Sequence, residues 1–293
     1  MRKPNLLTMT IKRVGIVGSG IMGAGIAECA ARTGHEVVVR SRKQETAGAM
    51  VAALEKSLAR QVERGKLSEG ERAETISRVR ATSHIGELAG CDLVIESVVE
   101  DLDVKKALFN ELDSVCDDHT ILVTNTSTLP VVELAVQTGR PEKVCGVHFF
   151  NPAPLMALVE IVRPLTASDE TIAEVRSFAE ACGKKPVVVK DQAGFIVNAL
   201  LFPYLNNAVR LLESGVASAG DIDEAMKGGC NFPMGPLALL DLVGLDTSLS
   251  IIDALYTEFR DPNYAAVPLL RRMVAAGRLG RKSGRGFYDY AKK

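Results

Sequence analysis

No run of about 20 apolar residues occurs in this chain, so nothing in it reads as a membrane span. The opening stretch Met1 to Lys12 is polar, and the apolar run Val14–Val17 is too brief, and broken by Gly15, to serve as a signal core. A cytoplasmic protein with no membrane association is the expectation. Charge of one sign is also missing. There are 35 Lys and Arg against 36 Asp and Glu, a net charge of −1, so no global field draws the chain to nucleic acid or to an anionic lipid surface. Six cysteines, at 29, 91, 116, 145, 182 and 230, form no Cys-x-x-Cys, and no Cys/His cluster has metal-ligand spacing. Most lie in apolar stretches, which points to buried free thiols in a reducing compartment and to no metal site. Internal repeats and low-complexity segments are absent as well.

What is present is enough apolar material, 47% of 293 residues, for roughly two domains with a core each. Short β-branched runs suit strands at Val14–Val17, Val37–Val39, Leu93–Ile95, Ile121–Val123, Val144–His148, Leu158–Val162 and Val187–Lys190. Being apolar on both faces, they suit a sheet covered on both sides. Helical periodicity separates the earlier ones: from Ile21 to just before Gly34, from about Gln44 to Arg64, and from a capping box at Ser68-x-x-Glu71. Such alternation predicts an α/β fold, a doubly wound parallel sheet. After Asp191 strand patterns stop. Helical runs follow near Ala193–Glu213, Asp221–Lys227, Pro236–Leu242, Thr247–Phe259 and Val267–Ala276. The expected division is therefore a dinucleotide-binding domain over 1–190 and an all-helical domain over 191–293.

The first strand runs into Gly18-Ser19-Gly20-Ile21-Met22-Gly23, a Gly-x-Gly-x-x-Gly between a strand and a helix. Gly18 allows the tight turn, Gly20 lets a pyrophosphate approach the backbone, and Gly23 lets helix and sheet pack closely. Ile21 and Met22 complete this Rossmann-like cofactor loop. NAD enzymes usually place an acid at the end of the second strand, about 20 residues on, to hold the ribose hydroxyls. Here Arg40-Ser41-Arg42 stands there. Serine does not repel a 2′-phosphate, and Arg42 or Arg40 can pair with one, so NADP is favoured over NAD.

Further on, the strand Ile121–Val123 ends in Asn125-Thr126-Ser127-Thr128. Then come Val147-His148-Phe149-Phe150-Asn151-Pro152, Glu160, Gly194-Phe195-Ile196-Val197-Asn198, Pro233-Met234-Gly235-Pro236 and Gly284-Arg285-Gly286-Phe287-Tyr288. Taken singly, several of these read blandly. A lone His among Val147, Phe149 and Phe150 suits a satisfied core residue; Ser127 suits a helix cap, and Asn198 an interhelical hydrogen bond. Glu160, among Leu158, Val159 and Ile161, is harder to dismiss, since a buried carboxylate needs a partner. The remaining histidines, His35, His84 and His119, fall in polar turn contexts and read as surface residues.

Together these segments resemble the short-chain L-3-hydroxyacyl-CoA dehydrogenase family, which includes 3-hydroxybutyryl-CoA dehydrogenases, over nearly the whole chain. The resemblance implies that His148 is the catalytic base, Glu160 its partner, and Ser127 and Asn198 the groups that position the substrate carbonyl. It places nicotinamide contacts at Glu100, Lys105 and Asn151, with Asn125 also on the cofactor side, and CoA contacts at Ser57 and Arg64. It further implies a homodimer made through the helical domain, where Leu237, Leu239, Leu240 and Leu242 are candidate interface residues or core. The departure is Ser41, where many relatives carry Asp. The chemistry suits these residue types. Oxidising a secondary alcohol needs a base while hydride leaves to nicotinamide, and imidazole titrates near neutrality. The basic helix with Lys56, Ser57, Arg60 and Arg64 offers a seat for an acyl-CoA, a docking face for an acyl carrier protein, or a solvated face paired with Glu55 and Glu63. Two rivals remain. A lysine-based 2-hydroxyacid dehydrogenase lacks its lysine, since none occurs from Ala193 to Gly220. A non-catalytic nucleotide-binding protein of the same fold would be expected to have lost some of Ser127, His148, Glu160 and Asn198.

Overall fold

The computed structural model describes residues 11–291, which divide after Asp191 into two compact units. The first unit opens with β1 (Arg13–Val17), α1 (Ile21–Arg32), β2 (Glu36–Arg40) and α2 (Gln44–Glu63). Then follow α3 (Glu69–Ser77), β3 (Val79–Thr82), β4 (Leu93–Glu96), α4 (Leu102–Val115), β5 (Ile121–Thr124) and α5 (Val131–Ala135). It closes with β6 (Val144–Phe149), β7 (Leu158–Arg163), α6 (Asp169–Ala181) and β8 (Lys185–Lys190). The strands form one eight-stranded sheet in the order β3-β2-β1-β4-β5-β6-β7-β8. Every pairing is parallel except that of β6 with β7. This is the doubly wound α/β architecture, with its order reversing between β1 and β4.

The core follows from the sequence. Val14, Ile16, Val37, Val39, Leu93, Ile95, Ile121 and Val123 are all nearly or fully buried and share one core cluster with Ile26, Ala27 and Ala30 of α1. Helix starts are fixed by named caps. Ser68 and Glu71 exchange both bonds of the expected capping box at α3, and Asp101 takes the Val104 N–H at 3.0 Å to start α4. The carboxylate of Asp191, the last residue of this unit, takes the Val131 and Val132 N–H groups at 3.0 and 2.7 Å and starts α5. The boundary thus falls just after Asp191, because its side chain belongs to the first unit's hydrogen bonding.

Some elements depart from the sequence reading. Strand β3 lies outside the expected strands: Val79-Arg80-Ala81-Thr82 is a four-residue edge strand with a partly exposed face and no apolar run. Nor is His35 a surface residue. It is only 8% exposed, its ring lies edge-on to Phe178 at 5.2 Å between centroids, and burial holds its pKa below the ordinary imidazole value. Five of the six cysteines are buried free thiols and Cys230 is exposed.

The second unit is helical: α7 (Val197–Glu213), α8 (Ala219–Cys230), α9 (Pro236–Val243), α10 (Leu245–Phe259) and α11 (Pro268–Ala275). The stretch expected to begin α7 at Ala193 instead turns through Gly194 and Phe195, both at positive φ, and the helix starts at Val197. Leu237 and Leu240 are core of this unit and fully buried, so they are not interface residues; Leu242 is 49% exposed. Two buried carboxylates organise the unit. Asp223 caps α9 through the Leu237 and Ala238 N–H groups at 2.8 and 2.9 Å, and Asp241 takes the Phe287 and Tyr288 N–H groups at 2.9 Å each. Asp223 also accepts the Tyr288 hydroxyl at 2.7 Å, tying the chain end to α8. A side chain at Gly235 would strike Asp223, and one at Gly286 would lie 1.9 Å from an Asp241 oxygen. Gly235 of the Pro-Met-Gly-Pro segment and Gly286 of the Gly-Arg-Gly-Phe-Tyr segment are therefore required by these two carboxylates, whereas Gly284 is suited to its positive φ of +75°. No helix among the described residues is long and apolar enough to cross a membrane.

Candidate active site

The carboxyl ends of β1, β4, β5 and β6 are neighbours in the sheet, and each carries part of the site. At the end of β1 the glycine loop folds as the motif requires. Gly18 sits at φ +122°, and a Cβ there would meet the Ser97 carbonyl oxygen at 2.2 Å. A Cβ on Gly23 would meet the Gly18 carbonyl oxygen at 2.1 Å, whereas Gly20 faces open space. No side chain caps α1 and no acid lies in its first turn, so the leading N–H groups and the positive end of the helix dipole face that space.

At the end of β2, Ser41 Oγ lies 3.0 Å from Ser19 Oγ and 2.6 Å from Thr46 Oγ1. This chain of hydroxyls replaces the expected carboxylate. One residue earlier, the Arg40 Nε is buried with no hydrogen-bond partner among the described residues, while Arg42 is exposed.

After β4 and β5, Glu100 Oε1 accepts the Ser127 N–H at 2.8 Å and the Thr126 hydroxyl at 2.5 Å. Asn125 Oδ1 takes the Phe149 N–H at 2.9 Å, tying the end of β5 to the residue after His148. Lys105 is fully buried, with its ammonium 2.6 and 2.8 Å from the two oxygens of Glu96, itself fully buried. Glu96 was not singled out in the sequence, where it reads as the last residue of an apolar strand; its 0% exposure is what marks it.

His148 on β6 and Glu160 on β7 are cross-strand partners in the one antiparallel pairing of the sheet. His148 Nδ1 and Glu160 Oε2 are 2.8 Å apart, and the residues are 5% and 1% exposed. The pair sits where facing Cβ atoms come within about 5.5 Å, so the bond needs no long reach. Asn198 belongs to the second unit, in the first turn of α7.

A groove of about 490 Å³ runs between α1 and α2. It starts at Ser19 and Gly20, is walled by small side chains such as Ala24, Ala49 and Ala53, and reaches Glu28 and Ser57, with Asn151 and Pro152 also on its rim. Ser57 Oγ lies 3.5 Å from a Glu28 carboxylate oxygen. Arg64 caps the far end of α2; it, Lys56 and Arg60 are exposed, and among the described residues none of the three forms an ion pair, so this is a solvated face without the expected bridges to Glu55 and Glu63.

Comparison with known proteins agrees with this architecture. The family model for the 3-hydroxyacyl-CoA dehydrogenase NAD binding domain matches residues 13–192, and that for the 3-hydroxyacyl-CoA dehydrogenase C-terminal domain matches 194–290. The chain is 47% identical over 280 residues to a 3-hydroxybutyryl-CoA dehydrogenase of Clostridioides difficile, covering 96% of this chain and 100% of that protein. It is 48% identical over 286 residues to one of Mycobacterium tuberculosis, covering 96% and 99%. Among solved structures, (S)-3-hydroxybutyryl-CoA dehydrogenase from Ralstonia eutropha superposes with a TM-score of 0.94 at 44% identity, over 97% of this chain and 100% of that one. With both of its units matched and full-length relatives of nearly half-identical sequence, the chain belongs to the 3-hydroxyacyl-CoA dehydrogenase family.

Proposed function

We propose that the protein interconverts a short (S)-3-hydroxyacyl-CoA, with 3-hydroxybutyryl-CoA as the leading candidate, and its 3-ketoacyl form, using NADP(H) in preference to NAD(H). The observation that carries this reading is the buried His148–Glu160 pair at the carboxyl edge of a sheet that also bears the glycine loop. Glu160 receives the Nδ1 proton and so fixes the tautomer in which Nε2 accepts a proton. In oxidation His148 takes the hydroxyl proton of the substrate, and in reduction it returns that proton to the new alkoxide. The dinucleotide, when bound, supplies the hydride acceptor or donor. Its pyrophosphate would be held by the Gly18–Gly23 loop, with Ile21 and Met22 in the first turn, and its nicotinamide end near Glu100, Asn125 and Asn151.

Ser127, with its backbone N–H fixed by Glu100, donates to the carbonyl oxygen as negative charge develops there. By family resemblance Asn198 is the second donor. The groove between α1 and α2 suits a slender thioester arm, with Ser57 along it; Arg64, two turns further along and exposed where α2 ends, would take a phosphate. NADP is favoured because Ser41, Ser19 and Thr46 offer hydroxyls where an acid would repel a 2′-phosphate, and Arg40 Nε lacks a partner. A C2 homodimer is proposed on family grounds; light scattering should give twice the 31.4 kDa chain mass, and a monomer at micromolar concentration would refute it. The function itself is tested by following absorbance at 340 nm with acetoacetyl-CoA and each reduced cofactor. Oxidation of NADPH faster than NADH is expected; no turnover with either ends the proposal, and faster turnover with NADH ends the cofactor assignment.

A further inference from the structure

We infer that Lys184 is a positioning residue, whose buried ammonium fixes the turn over residues 152–156 and with it one wall of the groove between α1 and α2. The inference rests on the reading of that groove as the seat of the thioester arm.

Helix α6 ends in a glycine turn that places this lysine. Gly183 takes φ +71°, its N–H reaches the Glu180 carbonyl at 2.9 Å, and the Lys184 N–H reaches that of Ala179 at 3.0 Å. This paired closure stops the helix and fixes the Lys184 backbone just before β8. Lys184 is 8% exposed. Its Nζ donates to the Ala153 carbonyl at 2.6 Å and to the Met156 carbonyl at 3.0 Å. A third neighbour is the Cys29 thiol on α1, whose pKa burial raises and the ammonium partly lowers. Among the described residues the ammonium forms no ion pair, so its charge is spent on two main-chain oxygens of one turn. Hydrogen bonds from a charged donor are about twice as strong as neutral ones, which makes the contact a firm clamp.

The clamped turn joins β6 to β7. Inside it, the Pro152 carbonyl accepts the Leu155 and Met156 N–H groups at 3.0 and 3.1 Å. Its other side lies on α1, where a Cβ at Gly25 would come within 3.0 Å of the Ala153 Cβ and 3.2 Å of the Pro154 Cδ. Pro152, Ala153 and Pro154 line the groove together with Ser57. The ammonium thus stands behind the wall that a ligand in the groove would touch. The His148–Glu160 pair is held separately, by the β6–β7 ladder that runs from Gly146 opposite Val162 to Phe149 opposite Val159. Releasing the turn therefore loosens the groove and leaves imidazole and carboxylate in register. A residue of this kind acts on ground state and transition state alike, and its loss appears in KM, not in kcat.

The test is the full-length Lys184→Met variant, close in length and without a donor. Hydrogen exchange is read at the Ala153, Leu155, Met156 and Ala157 amides, CoA affinity by calorimetry, and KM and kcat with acetoacetyl-CoA and NADPH. Expected are faster exchange at those amides, a CoA Kd and a KM each raised roughly tenfold, the scale of one hydrogen bond to a charged group, and kcat within about threefold of wild type. Unchanged exchange overturns the inference, because the turn is then held without the ammonium. Faster exchange with Kd and KM unchanged overturns it too, since the clamp would then be structural alone, and so does a lowered kcat at unchanged KM. Where Lys184→Met does not fold, Lys184→Gln, one atom shorter and neutral, must show faster exchange and a raised KM in lesser measure, and normal values for both refute the clamp. Exchange and CoA affinity need no turnover, so they decide the inference even if the wild type does not reduce acetoacetyl-CoA, the result that ends the reading of function.

Discussion

Replacing Glu160 by glutamine keeps the volume at 1% exposure and removes only the charge, so the size of the effect follows from the geometry. Nδ1 and Oε2 are 2.8 Å apart, between two residues that are 5% and 1% exposed. When His148 takes a proton, the imidazolium so formed faces the carboxylate at contact distance. With an effective dielectric of about 20, opposite unit charges about 4 Å apart attract by about 4 kcal/mol. A neutral amide oxygen retains a hydrogen bond of about 1 kcal/mol. The difference, about 3 kcal/mol, is about 10²-fold in rate. If the amide nitrogen turns towards Nδ1 it selects the tautomer with the proton on Nε2, and the loss grows towards about 10⁴-fold. Single-turnover absorbance at 340 nm, which isolates chemistry from product release, is the assay. His148→Gln should lower kcat by about 10²–10⁴-fold, and the double variant should be little worse than the worse single one, because the two act as a unit. The sign of the pH dependence follows from the same role: oxidation needs neutral imidazole and rises with pH, whereas reduction needs the protonated ring and falls. A Glu160→Gln enzyme within threefold of wild type in the chemical step, or effects of the two substitutions that simply multiply, would refute the pairing as catalytic.

Ser41→Asp puts a carboxylate beside Ser19 and Thr46, and the NADPH-to-NADH ratio of kcat/KM should fall by roughly ten- to hundredfold; an unaltered ratio would show that Ser41 does not face the ribose. Arg64→Ala, at the exposed end of α2, should raise KM for acetoacetyl-CoA and leave kcat largely unchanged, since a remote contact is uniform binding. An acetoacetyl-pantetheine thioester should be blind to that substitution, and a KM that changes equally for both thioesters would place Arg64 elsewhere. Burial pushes the Cys91 thiol up to about 11 and those of Cys116, Cys145 and Cys182 up to about 12, with Cys29 also raised, so at pH 8 these stay protonated. A disulfide reagent on native protein should therefore label one thiol fast, at exposed Cys230, and the others only after denaturation; Cys230→Ser abolishing no fast phase would contradict this.

The sequence by itself determined the fold class, the cofactor loop and the identity of the chemical groups. These are written locally: strand runs apolar on both faces, the spacing of Gly18, Gly20 and Gly23, the capping box at Ser68, and the segments around His148 and Pro233–Pro236. Local patterns could not say which side chains meet. Leu158–Val162 reads the same whether its strand runs parallel or antiparallel, yet only the reversed direction of β7 sets Glu160 opposite His148. Lys105 has the pattern of an ordinary helix lysine, and becomes a buried cation only because Glu96 lies against it, nine residues earlier on a central strand. His35 looked like a turn residue until Phe178, 143 positions on, closed over its ring. β3 carries too few apolar residues to announce itself, and is a strand because β2 offers an open edge. In each case the deciding partner lies on another element of the fold. Hydrogen bonds and burial depend on which elements the fold sets side by side, and periodicity along the chain does not say that.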